Sequence, residues 1–277
     1  MATNLRNRSE HFDFGQNWAS YSKLIDDRRI EKAVENVRSL AGDLTGKSFL
    51  DIGCGSGLFS LAALKLGAFK VVAADIDENS VATTKKLLAE HDSAEVMEAS
   101  VFDLTGEFDV VYSWGVLHHT GDMWAAIEAA AKRVAPGGIF AFSLYEKTPF
   151  CGAWRVEKRL YSKAPRSLQK LIRAAYLAVY GLGLLLTGKN PVRHLRGKQD
   201  RGMDPLHDAH DWLGGFPYES TTIDEVDPFL GRLGFTREIH RRATAHHLGL
   251  LGTGCSEYMY SKQPPPLTPL RAAPLRP

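Results

Sequence analysis

The segment SFLDIGCGSGLFS, residues 48–60, constrains the fold of this chain more than any other stretch. A short apolar run contains Asp51 near its end, and three glycines follow at alternate positions, Gly53, Gly55 and Gly57. The apolar run predicts a buried strand, and the apolar residues after the glycines predict a helix. The glycines therefore form a strand-to-helix turn with almost no side chains, where a ligand can lie against the backbone.

Three kinds of ligand site begin with such a turn. A P-loop needs Gly-Lys-Ser/Thr after the glycines, and the sequence lacks it. A dinucleotide site places its third glycine one residue later than Gly57, and Asp51 would repel a pyrophosphate. The next predicted strand ends at Asp75, where a carboxylate can accept hydrogen bonds from both hydroxyls of a ribose. A ligand with a ribose, a positive charge and no phosphate is S-adenosylmethionine.

Two later segments join the glycine turn in resembling a known family. Residues 51–57 are similar to the first motif, acid-x-Gly-x-Gly-x-Gly, of the class I S-adenosylmethionine-dependent methyltransferases. FDVVYSWGVLHHTGD resembles the fourth strand and following helix of that family, and VAPGGIFAFS resembles its Pro-Gly-Gly turn into the fifth strand. The three segments occur in order over roughly residues 45–145. The resemblance implies an enzyme that uses S-adenosylmethionine and releases S-adenosylhomocysteine.

Predicted strands and helices alternate along the chain. Strands are predicted at 47–52, 70–75, 95–98, 109–113 and 138–144, and helices at 57–66, 78–90 and 122–134. FTREIHRRA and CSEYMYSK resemble the antiparallel hairpin that closes the sheet of this family. We therefore predict an α/β fold, a Rossmann-like, mostly parallel sheet of seven strands with helices on both faces and a helical lid insertion. Right-handed crossovers place Asp51, Asp75 and Trp114 along one edge of that sheet.

The predicted domain organisation has three parts. Residues 1–44 form a helical cap, which in the family covers the cofactor, and residues 45–262 form the methyltransferase domain. The lid insertion follows the fifth strand at about 146–220, and a helix between Thr222 and Gly234 follows it. Residues 263–277 are rich in proline, and we predict that they are disordered.

The insertion carries most of the positive charge. Residues 151–201 contain twelve Lys or Arg against two acids, a net +10 in a chain whose total is +2. Apolar residues recur at helical spacing from Leu168 to Leu186, between basic flanks. This pattern predicts either a lid packed on the domain or a helix lying on a membrane surface, while AAYLAVYGLGLLLT alone is too short to span a bilayer. The charge indicates an acidic or amphipathic substrate, or simply a solvated helix face.

The resemblance also implies a set of cofactor contacts. Asp51 faces the methionine amino group through water, Asp75 holds the ribose hydroxyls and Ile76 packs against adenine. The adenine-binding acid of the family falls at Ser100, so Val101 and Phe102 take its place here. The remaining predicted cofactor residues are Tyr21, Gly53, Cys54, Gly55, Gly57, Ser113 and Trp114.

Methyl transfer depends mainly on positioning and exclusion of water, and a general base is needed only where the nucleophile is protonated. His118 and His119, after the fourth strand, are the first candidates for such a base, unless they only pack the next helix. His210 and Asp211 are a second candidate pair. His207 and Asp208 come just before this pair, and the four side chains together could also hold a metal. Hydrogen bonds within a turn explain these residues more simply, so we predict no metal site.

The function that these observations favour is methyl transfer to an oxygen of a small acidic or amphipathic molecule in the cytoplasm. Three scattered cysteines without a CxxC pair fit a reducing compartment. Methylation of N or C, a noncatalytic cofactor-binding protein and an NAD-dependent oxidoreductase are alternatives, although the glycine spacing opposes NAD. An RNA methyltransferase that uses the basic insertion is another, but we expect no nucleic-acid partner because SWGVLHH replaces an Asn/Asp-Pro-Pro-aromatic motif. Peripheral membrane contact stays open, and the oligomeric state is not predicted.

Overall fold

The computed structural model describes residues 11–193, 205–243, 249–250 and 252–264. One sheet contains seven strands: β1 (Ser48–Ile52), β2 (Lys70–Asp75), β3 (Ala94–Glu98), β4 (Phe108–Trp114), β5 (Val134–Tyr145), β6 (Phe235–Arg241) and β7 (Cys255–Lys262). Their order across the sheet is β3-β2-β1-β4-β5-β7-β6. Strands β1 to β5 are parallel, and β7 lies antiparallel between β5 and β6. The predicted Rossmann-like fold with a final antiparallel hairpin is confirmed.

The helices within the described residues are α1 (Phe14–Tyr21), α2 (Asp27–Ala41), α3 (Leu58–Lys65), α4 (Glu78–Leu87), α5 (Met123–Ala131), α6 (Cys151–Lys163), α7 (Arg166–Leu186), α8 (Pro205–Gly214) and α9 (Ile223–Arg232). Every strand and helix predicted between residues 47 and 145 occurs, with ends that differ by at most four residues. The largest difference is at β5, which begins at Val134. Phe108 pairs with Val134 but Val110 pairs with Ile139, so the Pro-Gly-Gly segment is a bulge within the strand.

Helices cover both faces of the sheet. On one face α2 packs Val37 and Leu40 in a buried cluster with Phe49 of β1 and Val71 of β2. On the other face α5 and α9 pack against β5 in a second buried cluster. Both clusters leave the carboxyl edge of the parallel strands uncovered by these helices, and that is where ligands bind in open α/β sheets.

The two N-terminal helices have different places, although the sequence predicts one cap over residues 1–44. Helix α2 belongs to the layer on the sheet face, whereas α1 lies across the carboxyl edge and contacts α4 and α8. The first ten residues lie outside the described part of the chain, as does nearly all of the predicted tail, 263–277. The domain boundaries stay predictions.

Helix α9 begins and ends where the sequence predicts. The Glu225 carboxylate accepts a hydrogen bond from the Thr222 N–H at 3.0 Å, which satisfies a backbone donor ahead of the first turn. Gly234 follows the last turn with a φ of +83°, a conformation in which glycine avoids the strain of a side chain.

Helix α7 is longer than its apolar stretch suggests. It runs for 21 residues from Arg166 to Leu186 and is long and apolar enough to cross a membrane by length and composition. The stretch AAYLAVYGLGLLLT is therefore only part of a longer helix, which starts in the basic segment before it. One side of α7, with Ile172 and Tyr176, packs on a small core that includes Tyr161 of α6 and Leu213 of α8.

The glycine turn between β1 and α3 takes a left-handed backbone. Gly53 and Gly57 have φ values of +75° and +80°. A Cβ at Gly53 would overlap the Val116 side chain, and one at Gly57 would lie 2.9 Å from Thr84 Cγ2 and 3.2 Å from Thr84 Cα. Glycine is therefore required both by backbone conformation and by the close approach of α4 and the loop after β4.

We expect Gly57→Ala to lower the free energy of unfolding by about 2–3 kcal/mol, because alanine adds left-handed strain and a clash with Thr84. Gly137 also has a positive φ, +77°, but no heavy atom lies within 4 Å of the position of its Cβ. Gly137→Ala should therefore cost only about 1 kcal/mol. Urea unfolding measures both losses, and equal losses would show that Thr84 does not restrict the turn.

Candidate active site

A cavity of about 420 Å³ lies at the carboxyl ends of β1, β2 and β4, beneath α1. Gly53, Asp75 and Trp114 line it from the strand ends, while Phe14 and Trp18 line it from α1. Its volume is within the range of small-molecule and cofactor sites. The predicted meeting of the β1, β2 and β4 ends at one edge is confirmed.

The charge of the cavity lining has one sign. Four carboxylates line it, Asp13, Asp75, Asp77 and Glu78, and among the described lining residues there is no Lys or Arg. Carboxylates close together attract a cation and repel an anion, most strongly where water is partly excluded. The lining therefore suits a cationic ligand and opposes a pyrophosphate.

Asp75 connects the glycine turn to the loop after β2. One carboxylate oxygen accepts a hydrogen bond from the Gly55 N–H at 2.9 Å, and the other accepts one from the Asp77 N–H at 2.9 Å. A carboxylate oxygen can accept more than one hydrogen bond, so this side chain keeps acceptor capacity toward the cavity that it lines.

Asp51 lies beneath the glycine turn. The Ser60 hydroxyl donates to its carboxylate at 2.6 Å, and Asp51 is not among the residues that line the cavity. Burial, with a smaller contribution from the negative charge of Asp75, raises the pKa of Asp51 to about 7. Because Asp51 does not line the cavity, its predicted contact with the methionine amino group would need a bridging water, and that contact stays a prediction.

Half of the predicted cofactor residues line the cavity: Gly53, Asp75, Ile76, Val101, Phe102 and Trp114. The others do not: Tyr21, Asp51, Cys54, Gly55, Gly57 and Ser113. Their contacts explain why. Cys54 Sγ lies 3.4 Å from Thr84 Oγ1 of α4, and the Ser113 hydroxyl donates to the Ile52 carbonyl at 3.1 Å, so these two side chains hold the turn and β4 in place.

The residue of α1 that covers the glycine turn is Trp18, whereas Tyr21 was the predicted cover residue. A Cβ on Gly55 would lie 3.2 Å from the Trp18 ring, so this ring lies directly over the glycine turn. Tyr21 packs behind it with ring centroids 5.6 Å apart and is buried. Phe12 and Phe14 also line the cavity. The sequence analysis missed them because they precede α1 or begin it, where no periodic pattern exists yet.

His119 lines the cavity in a defined tautomer. Its Nδ1 lies 2.7 Å from the Pro217 carbonyl oxygen, after α8. A carbonyl only accepts hydrogen bonds, so Nδ1 carries the proton and Nε2 keeps its lone pair. Burial lowers the pKa of His119 to about 3, so the ring is neutral near pH 7. Gly215 permits this approach, since a side chain there would collide with the ring.

His118 does not line the cavity, and its assignment as a catalytic candidate stays a prediction. Its ring packs on Tyr145 with centroids 4.0 Å apart and on His119 at 4.3 Å. Neither ring nitrogen has a hydrogen-bond partner among the described residues, and burial holds its pKa well below the usual range. These contacts fit the alternative that His118 only packs against its neighbours.

His210 and Asp211 do not form a dyad. His210 Nδ1 lies 2.8 Å from the Tyr161 hydroxyl of α6, whereas Asp211 accepts a hydrogen bond from the Asn17 amide of α1 at 2.7 Å. Neither residue lines the cavity. They tie α8 to its two neighbouring helices, and their catalytic assignment stays a prediction.

A buried lysine behind the histidine pair was missed by the sequence analysis. The Lys158 ammonium donates to the Trp212 carbonyl and lies 3.6 Å from the centroid of the Trp212 ring. Burial lowers the pKa of Lys158. Trp154 and Tyr161 stand four residues before and three after it, so the buried face of α6 was visible as a helical pattern.

The sheet topology, the glycine turn and the acidic cavity at the carboxyl edge define a class I S-adenosylmethionine-dependent methyltransferase. Residues 25–187 match the family described as a methyltransferase domain, and the chain belongs to this family.

Three known proteins illustrate the similarity. A ubiquinone biosynthesis O-methyltransferase from Albidiferax ferrireducens is 32% identical over 168 residues, 56% of this chain and 64% of that protein. A ribosomal protein L11 methyltransferase from Geobacter metallireducens is 37% identical over 100 residues, 36% of this chain and 32% of that protein. The chain thus spans less than two thirds of these relatives. The crystal structure of magnesium protoporphyrin IX methyltransferase from Synechocystis with bound SAH shares the fold, with a TM-score of 0.51, 19% identity and coverage of 84% and 82% of the two chains.

Asp211 leads to a prediction about stability and pH. Burial raises the pKa of Asp211 to about 8 in the folded protein, whereas an unfolded Asp titrates near 4, about the value for model peptides. The folded state keeps a proton that the unfolded state has released, so stability should fall as the pH rises from about 4 to 8. Asp211→Asn should flatten this slope by up to about 1 kcal/mol per pH unit.

Urea unfolding between pH 5 and 8, roughly the window that this pKa shift opens, measures the slope. The matched control is Asp103→Asn, which replaces an exposed Asp and should leave the slope as in the unaltered protein. A slope for Asp211→Asn equal to that of the control would show that Asp211 is ionised in the folded state.

Proposed function

We propose that this chain transfers the methyl group of S-adenosylmethionine to an oxygen atom of a small amphipathic acceptor, such as a phenol. The observation that carries the proposal is the lining of four carboxylates beside the glycine turn, with no Lys or Arg among the described lining residues. S-adenosylmethionine brings a sulfonium and an ammonium to this lining. NAD would bring a pyrophosphate, which the same carboxylates repel.

The cofactor roles follow from the positions of the lining residues. Asp75 accepts hydrogen bonds from the ribose hydroxyls, and Ile76, Val101 and Phe102 pack around the adenine. The backbone of Gly53 lies against the methionine part, and Asp51 lies beneath the turn. When bound, the cofactor supplies a methyl group that its sulfonium already activates.

His119 is the general base in this proposal. Nε2 carries the lone pair, because Nδ1 donates its proton to the Pro217 carbonyl. A ring with a pKa near 3 is a weak base, so it suits a hydroxyl that is itself acidic, and a phenol is more acidic than an alkyl alcohol. Relatives named ubiquinone biosynthesis O-methyltransferases support oxygen as the accepting atom.

The aromatic side chains in the cavity wall support an acceptor that has an apolar part. Phe12, Phe14 and Trp18 give the α1 side an aromatic surface. The basic residues Lys170 and Arg173 of α7 do not line the cavity, so neither supplies a partner for an acidic group there. Among the described lining residues there is no Lys or Arg, which speaks against RNA, whose phosphates need such residues near the site.

Calorimetric titration with S-adenosylmethionine, S-adenosylhomocysteine and NAD tests the cofactor. We expect the first two to bind and NAD not to bind. Asp75→Asn should weaken binding about 10–100-fold, because hydrogen bonds to a charged acceptor are worth roughly 1.5–3 kcal/mol. Asp103→Asn serves as the matched exposed control and should bind as the unaltered protein does. Binding of NAD alone would overturn the proposal.

A second experiment tests the base. His119→Asn keeps a side-chain N–H that can donate to the Pro217 carbonyl but removes the lone pair at Nε2. With labelled S-adenosylmethionine and a panel of catechols and other phenols, kcat should fall about 10²–10⁴-fold. Binding of S-adenosylhomocysteine should not change. An unchanged kcat would remove His119 from catalysis, and labelling of RNA or of amines instead of phenols would overturn the oxygen acceptor.

A further inference from the structure

We propose that the outer face of α7 docks this protein on an anionic membrane surface. Six large apolar side chains on this helix are 45–80% exposed: Leu168, Leu171, Val179, Leu182, Leu185 and Leu186. With 3.6 residues per turn, the six positions fall within about a third of the helix circumference, on one side of α7. The last thirteen residues of α7, 174–186, contain no charged residue. A helix on the surface of a soluble protein normally exposes polar side chains to water, whereas α7 exposes leucine side chains.

The opposite side of α7 is held by the domain. Tyr180 and Leu184 are buried, and Tyr176 packs its ring 6.3 Å from the Trp154 ring of α6. Near the start of the helix, the Gln169 amide donates to the Tyr161 carbonyl at 3.0 Å, and Arg166 donates to the Gln16 side chain at 2.8 Å. Because one side of α7 is packed on the domain, we expect the helix to lie parallel to the membrane with its exposed side toward the lipid, rather than to cross the bilayer.

The charge around this face identifies lipid as the occupant. The sequence contains no Asp or Glu between Glu157 and Asp200. The exposed basic residues Arg159 and Lys170 stand before the uncharged turns, and Lys189 and Arg193 follow them. Leucines between two basic groups match a bilayer with anionic headgroups, where each Lys or Arg adds about 1 kcal/mol. A second copy of the same face would bring its own positive charges and be repelled.

The docking face is separate from the cavity, since none of its six apolar residues lines it. It therefore stands without the proposed methyl transfer. Its effect on function would come through the small core under α7, in which Ile172 and Tyr176 pack with Phe12 and Phe14, two residues that line the cavity.

Sedimentation with vesicles tests the proposal. Vesicles of phosphatidylcholine with phosphatidylglycerol should bind the protein, and vesicles of phosphatidylcholine alone should bind it much less. Leu171→Gln, Leu182→Gln and Leu185→Gln together should weaken binding roughly tenfold or more, since apolar burial drives insertion. Phe69→Gln is the control, because Phe69 is 60% exposed but lies just before β2, at the opposite edge of the sheet.

Replacing Lys170, Lys189 and Arg193 with Gln should weaken both the preference for phosphatidylglycerol and the salt dependence of binding. Far-UV circular dichroism and thermal unfolding check that each variant is folded. Equal vesicle binding by the triple leucine variant and the unaltered protein would overturn the proposal. So would a dimer in sedimentation velocity that the leucine substitutions dissociate, or membrane association that withstands carbonate extraction.

Discussion

The close approach of the β1 glycine turn to the ends of β2 and β4 is the constraint on which the site depends. The Gly53 and Cys54 N–H groups both donate to the Ala74 carbonyl, at 2.7 and 3.0 Å, while the Val116 side chain lies where a Cβ of Gly53 would be. Asp75 completes the connection through the Gly55 N–H. These contacts hold the ends of three strands close together at the turn. The close approach leaves little room for side chains in the turn, and its backbone is left-handed at Gly53, Gly55 and Gly57. One turn therefore makes both the floor of the cavity and the bare backbone that a cofactor can approach.

The parts of the structure that could be predicted are those with a local cause. Each strand and helix of the sheet leaves its own pattern in the sequence, and Asp75 stands at a strand end that this pattern identifies. The parts that could not be predicted are decided by packing between distant segments. Trp18 and Tyr21 are three residues apart on one helix, and only the position of α1 over the turn selects Trp18. His118 and His119 are adjacent, and only the loop after α8, which reaches His119 through Pro217, separates their roles.

The distribution of charge is also only partly predictable from the sequence. Counting Lys and Arg identifies the basic insertion, but it does not show on which side of the molecule those residues lie. The structure separates two charges that a single total of +2 hides: carboxylates inside the cavity and basic residues on the outside of the insertion. A cationic cofactor inside and an anionic surface outside are compatible because no residue of α7 lines the cavity.

The insertion has two parts with different structural roles. Through α8 and the loop after it, the insertion fixes the His119 tautomer and, by the Asn17–Asp211 hydrogen bond, holds α1 over the cavity. Through α7 it presents leucines to the outside. A phenol with a long apolar body is poorly soluble, so a site that rests on the bilayer gains substrate without first drawing it through water, at a free-energy saving of about 0.8 kcal/mol for each CH₂ that stays in lipid. The aromatic wall of Phe12 and Phe14, continuous with the core under α7, is the side on which such a body would enter.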